Sequence, residues 1–309
     1  MTRIRLLLLI FTMLLTTSYL MAQTHTVTRG GSKPKTSTTT KKTTTPSANK
    51  KTGAATQKRS TATQKPQAAR RAEEIRRAEE ARRNPIIQNL INNMVDVSGG
   101  TFTMGATSEQ GSDAFRNEKP THQVTLSSFS IGRYEVTQEE WETVMGNNPS
   151  YSKEAKQPVE RVSWDDCQTF IRKLNAMTGK NFRLPTEAEW EFAARGGNNS
   201  RGFKYAGSND IGSVAWYGGN SGGLTHNVGT KSPNELGLYD MSGNVWEWCS
   251  DWYGDYTSSS QSNPKGLSSG SRCVIRGGCW NIDAKRCRVS YRNGITPDNC
   301  DGLGFRLAL

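Results

Sequence analysis

Histidine is almost missing from this chain. Of 309 residues only three are His, and His25 lies in a polar N-terminal stretch, leaving His122 and His226 elsewhere. A zinc or iron centre built on several imidazoles is thereby excluded, and no Cys-x-x-Cys pair offers the thiolate alternative. No phosphate-cradling loop ending in Gly-Lys-Ser/Thr occurs. Carboxylates are plentiful, but spacing sets none apart as an acid–base pair. Long apolar runs are scarce too: the Leu6–Leu15 run is too short for a comfortable membrane span. No cysteine precedes Cys167, so lipidation at a mature N-terminus near residue 23 is not expected.

What is present divides the chain. Arg3 and Arg5, the apolar run and Met21-Ala22-Gln23 read as a secretory signal peptide over 1–22, cleaved near Ala22. The product is expected to be exported, periplasmic or secreted, and not membrane-spanning. The net charge of +12 is concentrated: residues 23–83 hold 16 Lys and Arg against 4 Glu, whereas residues 84–309 hold 22 basic and 24 acidic side chains. Residues 23–69, rich in Thr, Lys, Ser, Ala and Gln, bury too little apolar surface to offset chain entropy and read as a disordered basic linker. Residues 70–84 repeat Arg-Arg-Ala-Glu-Glu, with Glu73–Arg77 and Glu79–Arg83 at i,i+4, which predicts a solvated helical segment. Two roles fit this tail, adhesion to an anionic envelope surface or a soluble spacer. Nucleic acid is not an expected partner.

Residues 85–309 read as one α+β domain, coil-rich, with few short helices and strands. An amphipathic stretch over Ile86–Val95 leads in, and strands are expected at Thr101–Met104 and Gln123–Tyr134, with Val124, Leu126, Phe129 and Ile131 inward. Three helix starts carry the capping-box pattern: Thr137 with Glu140, Ser163 with Asp166, and Thr186 with Glu189. Gly179 and Gly196 mark the ends of the second and third. Beyond Gly196, thirty glycines and eight tryptophans in the whole chain fit an irregular backbone pinned by buried rings.

One stretch stands out, Gly237-Leu238-Tyr239-Asp240-Met241-Ser242-Gly243-Asn244-Val245-Trp246-Glu247-Trp248. It matches neither helical nor strand periodicity and reads as a tight buried loop turning on Gly243 and anchored by Trp246 and Trp248. Asp240 and Glu247 bracket it. Two readings stay open on the residues alone: a turn whose carboxylates bond to amides, or a Ca²⁺ site of side-chain and carbonyl oxygens.

This stretch resembles the core motif of the formylglycine-generating enzyme, or sulfatase-modifying factor, family. Further blocks agree in order: Gly99–Gly105, Tyr134-Glu135-Val136-Thr137, Val162–Asp166, Arg183–Glu191, Arg276-Gly277-Gly278 and Gly304-Phe305-Arg306. The resemblance covers about residues 95–309 and implies a fold similar to C-type lectin domains. It also implies a structural Ca²⁺ held through Asp240, Gly243, Val245 and Glu247.

Active members oxidise a substrate cysteine to formylglycine with O₂ and a copper ion held by two thiolates. The resemblance places the second thiolate at Cys287 and the first at Ile282, where a soft sulfur ligand is missing. Cys279, at the family's polar position after the two glycines, is the substitute candidate, so Cys279 and Cys287 are the catalytic candidates if the chain is active. Copper is not expected. The family's two long disulfides correspond to Ile171, Leu307, Ala194 and Arg292, so the six cysteines here are arranged differently. Their even number suggests other disulfides, while Cys167 and Cys249 read as buried small hydrophobes.

The expected function is therefore an exported, non-catalytic domain that binds an envelope protein or glycan and is stabilised by Ca²⁺. The alternatives are a formylglycine-generating-type oxidase, and a chain whose basic tail is the working part.

Overall fold

The computed structural model describes residues 61–299 and 301–309. The signal peptide, residues 23–60 of the linker and Cys300 lie outside the described residues.

Thr61–Arg83 is a 23-residue helix, so helical structure starts inside the segment read as disordered linker. Ala, Gln, Lys, Arg and Glu dominate it, residues that lose little rotamer freedom in a helix. Glu73 pairs with Arg77 at 2.8 Å as its spacing predicts, and Arg76 adds bonds to Glu73 and Glu80. Ile75, its bulky apolar residue, is half exposed. Pro85–Asn92 follows, capped by Asn84, whose Oδ1 accepts from Ile86 N, and it docks through Ile87 and Leu90.

The sheets are small. β1 (Met94–Val97) pairs antiparallel with β4 (Phe129–Gly132). β2 (Gly100–Met104) pairs with β3 (His122–Leu126), which takes β6 (Gln261–Ser262) on its other side. The single strand expected over Gln123–Tyr134 is thus two, broken at Ser127-Ser128, although Val124, Leu126, Phe129 and Ile131 are all buried as expected. The largest sheet has the order β8 (Arg292–Ile295), β7 (Cys273–Arg276), β5 (Trp246–Trp252), β9 (Leu303–Gly304).

All three capping boxes form, at Thr137, Ser163 and Thr186. Gly179 closes helix Trp164–Thr178 with φ 72°, a left-handed conformation that a side chain would strain. Cys167, Phe170, Ile171 and Leu174 form that helix's buried face. Phe170 stacks on Trp141 at 5.3 Å, and Phe305 meets both rings edge-on. Ile171 and Leu307 share this core, so apolar packing occupies the positions of one family disulfide. At the other, Arg292 forms a bidentate pair with Glu187 at 2.6 and 2.7 Å.

Candidate functional site

The Gly237–Trp248 stretch is part loop and part strand. Residues 237–245 turn through four left-handed residues, Gly237, Asp240, Gly243 and Asn244. Trp246 then enters β5, so the expectation of a loop throughout is corrected for its last three residues. Strand alternation is hidden because β5 is buried on both faces: Trp246, Glu247, Trp248 and Cys249 are all buried. At Gly243 a Cβ would lie 2.3 Å from the Trp216 carbonyl oxygen, which only glycine avoids.

The loop is tied to its surroundings by its own amides. Gly243 N donates to the Gly277 carbonyl and Asn244 N to the Trp216 carbonyl, and Trp280 N donates to the Asn244 carbonyl. The Asn244 side chain donates to Glu135 Oε2 at 2.6 Å and accepts from His226 N. Glu135 Oε1 accepts from Val245 N at 3.0 Å. Glu135 therefore organises the turn from a distant segment. The sequence offered the Tyr-Glu-Val-Thr block as a signal for it but no role.

Glu247 is equally well held. Arg306 grips it with Nε to Oε2 at 2.6 Å and Nη2 to Oε1 at 2.7 Å, and Trp190 Nε1 donates to Oε2 at 2.7 Å. Asp240 is not fully satisfied. Its Oδ2 accepts from Gly229 N, while its buried Oδ1 has no hydrogen-bond partner among the described residues. Burial raises the Asp240 carboxyl to about 6. Burial also pushes Glu135 well up, assisted by the charges of Asp240 and Glu247.

Three buried carboxylates thus surround one guanidinium, which is short of positive charge. Among the described residues, no three of His, Cys, Asp and Glu converge on one metal position. A cation here would have to use carbonyl oxygens as well, as hard cations do. The donor set is compatible with one: Asp240 Oδ1 is free, and Glu247 Oε1 accepts a single hydrogen bond, leaving a lone pair.

The Arg276-Gly277-Gly278 turn leads from this loop to the cysteines. Arg276 is wholly buried, donates to the Ser290 and Tyr291 carbonyls and pairs with Glu191. Gly278 lies over Cys287, since a Cβ there would be 2.6 Å from its Sγ. Cys167, Cys249, Cys273, Cys279 and Cys287 are all buried free thiols, which overturns disulfide pairing among these five. Cys167 and Cys249 pack as small hydrophobes. The Cys279 thiol donates to Asn281 Oδ1 at 3.0 Å, and burial raises it to about 11. Burial and the neighbouring Cys279 push Cys287 further up. Both are therefore protonated thiols at neutral pH, unlike an activated nucleophile. Ile282 packs against Cys287 together with Tyr205 and Val214.

Cys279 lies in the wall of a surface groove of about 430 Å³, shared with Tyr151, Arg161, Leu224, Trp280 and Asp301. Cys287 is not in that wall.

Residues 79–309 match the sulfatase-modifying factor enzyme 1-like domain model. The chain belongs to the sulfatase-modifying factor family. Chaperone protein LppX of Paenibacillus barcinonensis is 36% identical over 243 residues, covering 60% of this chain and 84% of that protein. The formylglycine-generating enzyme of Streptomyces coelicolor is 38% identical over 188 residues, 54% of this chain and 57% of the enzyme. Among solved structures, Treponema denticola variable protein 1 superposes with a TM-score of 0.62 at 36% identity, covering 70% of this chain and 94% of that one. The sulfatase-modifying factor fold, α+β and coil-rich, is thereby established for the domain.

Proposed function

We propose that this chain is an exported, non-catalytic sulfatase-modifying-factor-like domain that recognises an envelope partner through the groove above Cys279. The observation that carries this reading is Ile282. Where the family resemblance places the first copper thiolate, a branched hydrocarbon packs against the apolar cluster that includes Cys287. Cys279 is an imperfect substitute, because it lies three positions before the matching ligand and its thiol is bonded to Asn281. Export rests on the charged start and apolar run of residues 1–22; among the described residues no helix is long and apolar enough to cross a membrane.

Calcium belongs to the same reading. Asp240 and Glu247 would hold it with the Gly243 and Val245 carbonyls, and it would supply the positive charge that Glu135, Asp240 and Glu247 lack. Asn244 connects that loop to the groove through its carbonyl bond to Trp280 N. A well-held loop would keep Trp280 in place.

Anaerobic Cu(I) titration of the purified protein, with Cys287→Ala as control and a cysteine-peptide oxidation assay beside it, tests the reading. The expected result is no tight Cu(I) binding and no formylglycine. Tight binding that depends on Cys287, with turnover, would establish the alternative: an oxidase using Cys279 and Cys287.

A further inference from the structure

Resting on the recognition reading above, we infer that the groove takes a neutral oligosaccharide. One rim carries Tyr151, 74% exposed. The Tyr151 amide donates to Glu160, and the Arg161 guanidinium lies over its ring at 5.0 Å. Arg161 itself is left-handed at φ 62°, a conformation unfavourable for a side-chain-bearing residue. The ring is a solvent-facing aromatic surface with one face toward Arg161. Trp280, partly exposed on the floor, supplies a second, and its main chain is fixed by Asn244.

Polar groups between these rings suit hydroxyls. Buried Glu160 has one oxygen on the Tyr151 amide, while its other, 3.9 Å from Arg161 Nε, accepts no hydrogen bond among the described residues. Asn281 accepts the Cys279 thiol through Oδ1, leaving its amide nitrogen as a donor. Asp301 adds exposed acceptors. A sugar presents apolar C–H faces to aromatic rings and hydroxyl edges, each both donor and acceptor, to carboxylates and amides. Two carboxylates against one guanidinium disfavour an anionic ligand. An extended peptide fits less well: apart from Trp246, whose strand is already paired on both sides, the lining residues are in loops. Among the described residues that line the groove, none offers an open strand edge for main-chain pairing.

Calorimetric titration of the full chain with chitotetraose, cellotetraose and mannotetraose, followed in parallel by tryptophan emission, tests this. At least one should bind saturably and change the emission. Trp280→Ala and Tyr151→Ala, checked for folding by circular dichroism, should each weaken it about ten-fold or more, a loss of about 1.4 kcal/mol. Ile75→Ala, on the exposed N-terminal helix, should leave it unchanged, and tetragalacturonate should bind about ten-fold more weakly. The inference is overturned if none of the three neutral tetramers binds, if folded groove variants bind as well as the parent, or if the uronate binds equally. Failure here without tight Cu(I) binding leaves recognition standing with another ligand; tight Cu(I) binding with peptide oxidation removes the reading beneath it.

Discussion

Arg306 carries more of the domain's integrity than its place near the C-terminus suggests. Its guanidinium bonds to both oxygens of Glu247 and to the Gly132 and Tyr239 carbonyls, linking β5, the end of β4 and the motif loop. Replacing it leaves Glu135, Asp240 and Glu247 buried without their cation. Arg306→Met is expected to cost about 3–5 kcal/mol, the range for breaking one partner out of a buried ion pair, read as a drop in the urea midpoint. Asp251 gives the opposite kind of dependence. Its Oδ2 accepts from Glu187 N at the start of helix Glu187–Ala194, and burial, then the Glu187 charge, raise its carboxyl from 3.8 to about 7. A carboxyl whose folded value is raised contributes stability that is fully present below about pH 4 and lost as pH rises through about 7. Between pH 5 and pH 8 the urea midpoint should fall, and Asp251→Asn should reduce that fall while its amide oxygen still accepts from Glu187.

At the scale of elements, helix starts were the most legible feature. A capping box is a local device: Ser163 accepts from Asp166 N at 3.1 Å and Asp166 bonds back to Ser163 N at 3.0 Å, all within four residues. Ser163→Ala should destabilise the protein by about 1 kcal/mol, a shift that Asp166→Ala should approach, measured by thermal unfolding. Strand boundaries were less legible. The break at Ser127-Ser128 depends on β3 and β4 joining different sheets, a non-local fact. Trp246–Trp252 hid its strand character because polar Glu247 lies inside on an ion pair, so hydrophobic alternation fails where pairing is strongest. Helix Thr61–Arg83 extends further than its charge repeat: Gln67, Ala68 and Ala69 favour the same conformation, whereas its continuation upstream of Pro66 is not explained by propensity.

For the whole molecule, the tested quantity is dependence on a divalent cation. If Ca²⁺ neutralises the Asp240 loop, chelation should lower the melting temperature, added Ca²⁺ should restore it with saturation, and Asp240→Ala should abolish the Ca²⁺ response. A melting temperature indifferent to both would remove calcium from the account and leave a turn whose carboxylates are held by Arg306 and backbone amides. Mass action requires any ligand of the folded state to stabilise it.

The sequence by itself determined the family, the three capped helices, the inward residues of β3 and β4, and the absence of a thiolate at Ile282. Each is written in short-range spacing or in residue identity, which no folding step can alter. Only the tertiary structure decided that Glu135 and Arg306 converge on the motif loop from segments more than fifty residues away. It likewise decided that the five described cysteines remain unpaired and that Tyr151 lines a groove. Charge balance, thiol pairing and groove shape arise from side chains that meet only after the chain has closed its long-range contacts, so no local pattern encodes them.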